Sequence, residues 1–320
     1  ALLPVPALFY YFLGGEKRVD SSWASVSQLM DAHTREWSRE LLEALGIPSG
    51  ILPEIVAPGA SMGRMHAELA ESLGLNRVPL TAAAAHDTAS AYAAAPVEDP
   101  AKALIISSGT WSLVGKLVPE PITTPEAMAA NISNEGGVGN TRCLKNCMGT
   151  WLVQELRRVW AVADGKEVEW RELDALTEAA PAFAAVIKPD DASFYNPDNM
   201  EEAIVAFCKR TGQTPPADRG SMTRTVYEGL ALKYRMVNKE IFLLPAQGGD
   251  HLLHVFLEIV AYLRGCLINY LDSTEQGCFV VECLPGIGYK DGWNTKGVIH
   301  DESRTGGIPG GIAPCLKGVA

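Results

Sequence analysis

The stretch VPLTAAAAHDTASAYAAA, residues 78–95, decides the fold of this chain. Its apolar first half, residues 78–85, predicts a β-strand, and the alanine-rich residues after His86, Asp87 and Thr88 favour a helix. A strand, a polar tip and a helix in this order indicate an α/β fold, in which ligands bind outside the carboxyl ends of the strands. We therefore place a candidate site at His86, Asp87 and Thr88.

Asp87 is the first candidate for chemistry. A carboxylate at a strand tip, with His86 and Thr88 beside it, can accept a proton from a hydroxyl nucleophile. The alternative is that Asp87 is the N-cap of the following helix, and the sequence leaves both interpretations open. His86 also suggests a hydrolase, but no G-x-S-x-G motif supplies the serine.

A second polar turn follows at residues 107–110. Residues 102–107 and 111–118 predict the two strands of a β-hairpin with small polar residues at its tip. The tip offers hydroxyl groups, and Gly109 allows close backbone approach to an anion such as phosphate, although an ordinary structural turn is the alternative. The sequence has no Walker A motif and no G-x-G-x-x-G after a strand, so neither P-loop nor Rossmann binding is indicated.

The segment NISNEGGVGNTRCLKNCMGTWLVQE, residues 131–155, is dense in polar side chains between glycines. Amide and charged side chains make directional contacts that suit the hydroxyl groups of a sugar, whereas a solvated loop with capping residues is the competing interpretation. The candidates in this segment are Asn131, Asn134, Glu135, Arg142, Lys145, Asn146 and Gln154.

The rest of the chain predicts helices and one change of character. Short helices are expected at 38–45, with Ser38 as N-cap, and at 66–73, and longer ones at 150–161, 170–180, 199–211 and 221–244. In the last of these, apolar residues recur at spacings of three or four: Met222, Val226, Leu230, Tyr234, Val237 and Ile241. The proline-flanked residues 96–100 predict a domain junction, and the glycine-rich tail after Leu244 is expected to be poorly structured.

Composition limits the class of protein. The chain has 320 residues, of which 47% are hydrophobic and 20% charged, and this length favours two hydrophobic cores. A formal net charge of −11 argues against a nucleic-acid surface, so an anionic ligand would have to be held locally by amides, hydroxyls and a metal ion. The apolar run at 251–271 contains Glu258 and Arg264, which favours a buried helix over a membrane span.

Cysteine usage indicates a reducing compartment. Seven cysteines without a dense framework suit free thiols, and we expect a cytoplasmic location. Cys143, Cys147 and Cys208 lie in apolar contexts without a matching Cys/His pair, so buried thiols are favoured over a metal site. His251 and His254, near Cys266, are equally weak metal candidates.

Several stretches together resemble one family. HDTASA at 86–91, SSGTWSL at 107–113, NISNEGG at 131–137, LKN at 144–146 and MGTWLVQE at 148–155 resemble, in this order, the FGGY family of carbohydrate kinases, and within it the members that phosphorylate L-rhamnulose. PALFYYFLGGEK, SVSQLMDAHTREWSRELLEALGIP and ALKYR extend the resemblance, which covers about residues 1–237.

This resemblance implies an α/β fold of two ribonuclease-H-like (actin-like ATPase) domains with the active site in the cleft between them. Residues 1–97 would be the C-terminal part of the first domain, 98–240 a partial second domain, and 241–320 a divergent tail. The family's N-terminal phosphate hairpin and its adenine-side Gly-Gly-Gly loop have no counterpart in the sequence, and Gly248 and Gly249 are not carried over to that loop. The fold is therefore expected to be incomplete.

The activity that the resemblance implies is ATP-dependent phosphorylation of L-rhamnulose at O1, with Mg²⁺. Asp87 would accept the proton, His86, Asp87, Thr88 and Asn146 would contact the ketose, and Thr110 and Gln154 would lie on the ATP side. No residue is assigned to a metal. The partners implied are the ketose and ATP, without nucleic acid or membrane, and the alternatives are an inactive fragment of such a kinase or a kinase for a related ketose.

Overall fold

The computed structural model describes residues 1–97, 99–100, 103–242, 244 and 277–282. The helices in these residues are α1 Val5–Leu13, α2 Ser21–Val26, α3 Arg39–Leu45, α4 Ala67–Ser72, α5 Asp87–Ala94, α6 Pro125–Ala129, α7 Trp151–Asp164, α8 Trp170–Ala179, α9 Met200–Arg210 and α10 Arg219–Phe242. The strands are β1 Arg18–Asp20, β2 Glu54–Val56, β3 Ser61–Arg64, β4 Pro79–Thr81, β5 Ala103–Ser108, β6 Trp111–Val118, β7 Ser133–Gly136, β8 Thr141–Met148 and β9 Gly277–Glu282.

The N-terminal part contains two small sheets. β1 pairs with β2 in parallel, and β3 pairs with β4 in antiparallel orientation. The short helices begin and end at local signals: Ser38 caps α3 through a bond from the Leu41 amide, and Gly46 ends it with φ +65°, a conformation that glycine adopts at little cost. The predicted helices at 38–45 and 66–73 are thus confirmed as α3 and α4.

The strand expected at 78–85 is shorter than predicted, because only β4, Pro79–Thr81, is a strand. After Ala82, side chains rather than a partner strand accept the backbone N–H groups: the Ala83 N–H donates to the Tyr10 hydroxyl (2.9 Å) and the Ala85 N–H to Asp20 Oδ1 (3.3 Å). Alanine also offers little cross-strand contact area. The polar tip therefore follows an irregular segment after the antiparallel strand β4, and not directly the end of a strand as predicted.

The larger sheet has, within the described residues, the strand order β7-β8-β6-β5-β9, and all of its pairs are antiparallel. β5 and β6 form the predicted hairpin with Gly109 and Thr110 at its tip. The competing interpretation of residues 131–155 as a solvated loop is wrong for 133–148, since β7 and β8 form a second hairpin there.

Helices pack on both faces of this sheet. Successive side chains of a strand point to opposite faces, so neighbouring residues of β5 contact different helices. Leu104 and Ile106 of β5 belong to the main core with α7–α10, whereas Ile105 packs on the other face with Tyr92 of α5 and Leu144 of β8. The predicted apolar stripe of α10 is confirmed, because its residues from Met222 to Ile241 are buried in the main core. The face that packs on α5 is the face that positions the candidate site.

Most of the tail predicted from residue 241 lies outside the described residues, as do Glu98, Lys102, His251, His254 and Cys266. Within that tail, β9 pairs with β5 from Ala103↔Glu282 to Ser108↔Gly277. The sequence CFVV at 278–281 is typical of a strand, so the expectation of poor structure is not met there. None of the described helices is long and apolar enough to cross a membrane.

Candidate active site

Residues of α1, β1 and α2 hold the segment that precedes α5. The Tyr10 hydroxyl donates to the Thr81 carbonyl (2.9 Å), and Asp20 Oδ1, which also caps α2 by accepting from the Ser22 amide, accepts the Ala85 N–H. The Ser22 hydroxyl donates to the Asp20 carboxylate and accepts from the His86 amide (3.2 Å). The residues that cap α2 thereby also hold the start of α5.

Asp87 is the first residue of α5, and its side chain is 62% exposed. His86 occupies the N-cap position, so the alternative that Asp87 is itself the N-cap is wrong. Asp87 Oδ1 accepts from the Thr88 amide (2.6 Å) and from the Thr88 hydroxyl (3.3 Å), and the helix N-terminus favours its negative charge. No hydrogen bond to Oδ2 is found among the described residues, so this oxygen is open to a ligand.

His86 contacts a buried ion pair of the β7–β8 hairpin. Glu135 and Arg142 are cross-strand partners, and Arg142 Nη2 lies 3.0 Å from Glu135 Oε2 and 2.9 Å from His86 Nδ1. The Arg142 side chain is 0% exposed, and its Nε donates to the Gly136 carbonyl (2.9 Å). His86 Nε2 lies 3.6 Å from Asp87 Oδ1. These contacts give the ring a fixed orientation beside Asp87.

Burial dominates the electrostatics of this cluster. It lowers the pKa of His86, and the nearby Arg142 cation lowers it further, while Asp87 and Asp20 act in the opposite direction. Burial also raises the pKa of Glu135, against the effect of Arg142. The pKa of Arg142 is lowered by burial, but a guanidinium stays charged at any pH at which the protein folds. The lowered pKa favours the neutral form of the His86 ring.

Thr110 and Gln154 lie in a second group, where the β5–β6 tip meets the β8–α7 turn. The Gly149 amide donates to the Thr110 carbonyl (3.1 Å), and the Thr150 amide and hydroxyl donate to the Gly109 carbonyl (2.9 and 2.8 Å). Thr110 and Gln154 are exposed, and Gln154 Nε2 donates to Thr150 Oγ1 (3.4 Å). The two predicted ATP-side residues therefore lie at one junction, Thr110 in the β5–β6 tip and Gln154 in the first turn of α7.

Asn146 lies between the two groups. It is an exposed residue of β8, opposite Leu113, and an even spacing along the strand puts it on the same face as Arg142. Four residues of strand span about 13 Å, so Asn146 lies about that far along β8 from Arg142. Within the part of the chain that the structure describes, no hydrogen bond or ion pair joins the His86–Asp87–Thr88 group to Thr110 or Gln154.

Several residues of 131–155 do not face a ligand as the sequence suggested. The Asn134 side chain bonds the Ile122 amide and carbonyl (2.7 and 2.8 Å), and Lys145 pairs with Glu240 (2.7 Å). Glu135 and Arg142 are buried and contact His86 instead of solvent. Sequence reasoning also missed Asp20 and Ser22, whose only signal was a capping pattern before α2.

The cysteines behave as buried thiols. Cys143, Cys147 and Cys208 are free and buried, and burial raises the pKa of Cys143 to about 11 and that of Cys147 to about 12. Within the described residues, no group of three His, Cys, Asp or Glu side chains could hold a metal ion. The burial of these three free cysteines matches the prediction of buried thiols.

Comparisons with known protein families match both parts of the chain. Models of the FGGY family of carbohydrate kinases match residues 3–93 with the N-terminal domain and residues 104–257 with the C-terminal domain. The second match continues past Val237, where the resemblance was expected to end.

The chain is similar to curated proteins named rhamnulokinase. It is 40% identical over 281 residues to one from Bacteroides thetaiotaomicron, covering 88% of this chain and 56% of that protein. It is 40% identical over 244 residues to one from Pectobacterium carotovorum, covering 75% of this chain and 46% of that protein. The chain thus spans about half the length of the curated relatives it matches.

Its fold is similar to that of a gluconate kinase from Lactobacillus acidophilus, with a TM-score of 0.55 at 16% identity over 74% of this chain and 47% of that one. At this identity the likeness concerns the fold alone. It confirms the two-domain, actin-like class that the sequence predicted.

Proposed function

Since this chain belongs to the FGGY family of carbohydrate kinases, we propose that it is part of an ATP-dependent kinase that phosphorylates L-rhamnulose at O1. The support for the sugar is the 40% identity to proteins named rhamnulokinase. The support for the chemistry is the exposed carboxylate of Asp87, which is held at one oxygen and open at the other. This carboxylate is the observation on which the proposal depends.

Asp87 acts as the general base in this proposal. The O1 hydroxyl of the ketose gives its proton to Asp87 while its oxygen attacks the γ-phosphorus of ATP. The bond from that phosphorus to the bridging oxygen of ADP breaks, ADP leaves, and the proton passes from Asp87 to solvent. Phosphoryl transfer needs little more than alignment and charge stabilisation from the protein, so a base with fixed position suffices.

The ketose is bound by His86, Asp87, Thr88 and Asn146. His86 is held rigidly beside Asp87, and Asn146 is exposed on the same face of the larger sheet. Thr88 is buried, and its amide and hydroxyl hold the Asp87 carboxylate in place. Two related ketoses can differ by the orientation of one hydroxyl, so a kinase for a related ketose is the alternative substrate assignment.

Thr110 and Gln154 lie on the ATP side, and Mg²⁺ accompanies the nucleotide. The exposed hydroxyl of Thr110 and the exposed carboxylate of Asp87 are oxygen donors, the ligand type that Mg²⁺ prefers. Bound there, Mg²⁺ would neutralise charge on the phosphate oxygens.

The organisation and location of the protein are part of this proposal. Residues 1–97 form the C-terminal part of one domain and residues 98–240 a part of the second. Residues 241–320 form a divergent tail, of which residues 241–257 still match the C-terminal family model and β9 pairs with β5. The support is that α5 and β5 fall in different family models. A cytoplasmic location is supported by the free, buried thiols of the described cysteines, which suit a reducing compartment.

A coupled assay of ADP release tests the function. We would measure it with L-rhamnulose and Mg-ATP on this chain and on a form extended to the length of its relatives, with D-xylulose and glycerol as comparison substrates. We expect release from the extended form with L-rhamnulose, and little from the 320-residue chain. Release with a different ketose alone would establish the alternative substrate, and no release with any of the three would refute a kinase of this kind.

A further inference from the structure

The guanidinium of Arg142 has an unusual position for a charged group. It is completely buried. Its Nε donates to the Gly136 carbonyl (2.9 Å), and its Nη2 lies 3.0 Å from Glu135 Oε2 and 2.9 Å from His86 Nδ1, whereas its Nη1 has no hydrogen-bond partner among the described residues. The Tyr92 ring lies 5.9 Å from the guanidinium carbon. Burial of a charge is costly unless partners of this kind compensate it, so the position needs an explanation.

The chemistry of the contact between Arg142 and His86 decides where the imidazole proton sits. A guanidinium has only donors and does not lose its proton in proteins. A nitrogen 2.9 Å from Arg142 Nη2 must therefore accept, so His86 Nδ1 has a lone pair and no proton. A neutral imidazole then has its proton on Nε2, the atom that lies 3.6 Å from Asp87 Oδ1.

We propose that Arg142 is a positioning residue that fixes His86 as the neutral tautomer protonated on Nε2, so that His86 offers a hydrogen-bond donor beside Asp87. In this form His86 has no lone pair facing the reacting centre and cannot replace Asp87 as the base. Its Nε2–H donates instead to an oxygen of the substrate that Asp87 deprotonates. Only this last step rests on the proposed function, because the tautomer follows from the contacts alone.

The charges around His86 support this assignment. Arg142 of β8 and Glu135 of β7 face Nδ1, Asp87 of α5 faces Nε2, and Asp20 lies at the start of α2. Burial and Arg142 together lower the pKa of His86, although Asp87 and Asp20 act in the opposite direction. Removal of Arg142 would leave Glu135, 3.6 Å from Nδ1, as the nearest partner, and a carboxylate favours the protonated ring.

The tautomer can be observed in the unmodified 320-residue chain. We would label its six histidines with ¹⁵N and record long-range ¹H–¹⁵N correlations at neutral pH, assigning His86 by the signals lost in His86→Gln. We expect an unprotonated Nδ1 and a protonated Nε2. A proton on Nδ1, rapid exchange between the two forms, or a doubly protonated ring at neutral pH would each overturn the proposal.

Variants separate positioning from a purely structural role. In Arg142→Met we expect the titration of His86 to move to higher pH by about one unit or more. Arg142→Lys keeps an obligate donor and should retain the Nε2–H form. The matched control is Arg224→Met, which removes another buried arginine paired with a carboxylate, since Arg224 Nε lies 2.9 Å from Glu228 Oε1. This control should lower thermal stability without moving the His86 titration.

An unchanged His86 titration in a folded Arg142→Met protein would overturn the proposal. If that variant does not fold, the wild-type spectrum and the Arg142→Lys variant still test the proposal. Loss of the Nε2–H form in a folded Arg142→Lys protein would contradict positioning by a hydrogen-bond donor. In the extended, active form, Arg142→Met should also shift the acid limb of kcat/KM to higher pH, because a cationic ring beside Asp87 opposes proton transfer to it. The spectra do not depend on turnover, so a failed kinase assay leaves this test intact.

Discussion

At the scale of single residues, the two oxygens of Asp87 have different environments. Oδ1 is held by the Thr88 amide and hydroxyl, and the side chain is otherwise exposed. An asparagine could keep the acceptor at Oδ1 and the shape of the side chain while losing the ability to take a proton. The contact of Asp87 with Thr88 and the chemical role of Asp87 can therefore be separated by one substitution.

For Asp87→Asn in the extended form we expect turnover to fall by ~100-fold or more while sugar binding is largely kept, because only the general base is removed. The measurements are kcat from ADP release and the Kd for L-rhamnulose by calorimetry. Asp31→Asn is the control, since Asp31 is another aspartate whose Oδ1 accepts nearby amides, those of His33 and Thr34. Undiminished turnover in Asp87→Asn would remove Asp87 from the mechanism.

What the sequence predicted about residues depended on how local the signal was. The polar tip at 86–88 was found because it interrupts an apolar run. The roles of Glu135 and Arg142 were missed, since their burial depends on a cross-strand pairing and on contact with α5, and neither is visible in local composition. Polar density alone does not distinguish a ligand contact from a buried support.

At the scale of elements, the turn that joins β8 to α7 determines the position of Thr110. Gly149 sits against the β5–β6 tip so closely that an added Cβ would lie 2.5 Å from the Gly109 carbonyl oxygen and 2.8 Å from that of Thr110. Both contacts are with backbone, which cannot move aside as a flexible side chain can. The hairpin tip and the start of α7 are thus packed as one unit.

We expect Gly149→Ala to lower the free energy of unfolding by about 1–3 kcal/mol, the usual effect of overpacking, and to raise the KM for ATP by displacing Thr110. Urea denaturation measures the free energy of unfolding, and the ADP-release assay on the extended form measures the KM for ATP. Gly50→Ala is the control, because a Cβ there meets nothing within 4 Å and its φ is not in the left-handed region. A normal ATP KM in a destabilised Gly149→Ala protein would argue against Thr110 as an ATP contact.

Elements were predictable where pattern and burial agree. The α10 stripe repeats at helical spacing and is buried along its length, and the β5–β6 hairpin has polar residues at its tip between two apolar strands. The strand at 78–85 was predicted too long, since an alanine run does not show that Tyr10 and Asp20 take its backbone donors. The β7–β8 hairpin was missed because its strands are polar, although the ladder and the ion pair stabilise it.

At the scale of the molecule, the candidate site depends on how α5 is fixed to the larger sheet. α5 lies in the part matched by the N-terminal family model, and β5, β6 and β8 lie in the part matched by the C-terminal one. The fold class could be predicted from motif order. The contact between α5 and the larger sheet, which we call the joint, could not, because it is formed by residues distant in sequence. Its central residue is Tyr92, whose buried hydroxyl lies 3.1 Å from the carbonyls of Ile105 and Leu113.

Tyr92→Phe removes this hydroxyl while keeping the ring that packs on Ile105 and Leu144 and lies near Arg142. We expect the free energy of unfolding to fall by about 1 kcal/mol, the net value of a typical hydrogen bond, and kcat/KM in the extended form to fall as α5 loosens against the sheet. Tyr195→Phe, at a half-exposed tyrosine that stacks on Trp111, is the matched control and should change neither quantity. If Tyr92→Phe lowered stability but left kcat/KM unchanged, the joint would contribute to folding alone. The position of Asp87 would then depend on the contacts of Asp20, Ser22 and Arg142 with residues 85 and 86.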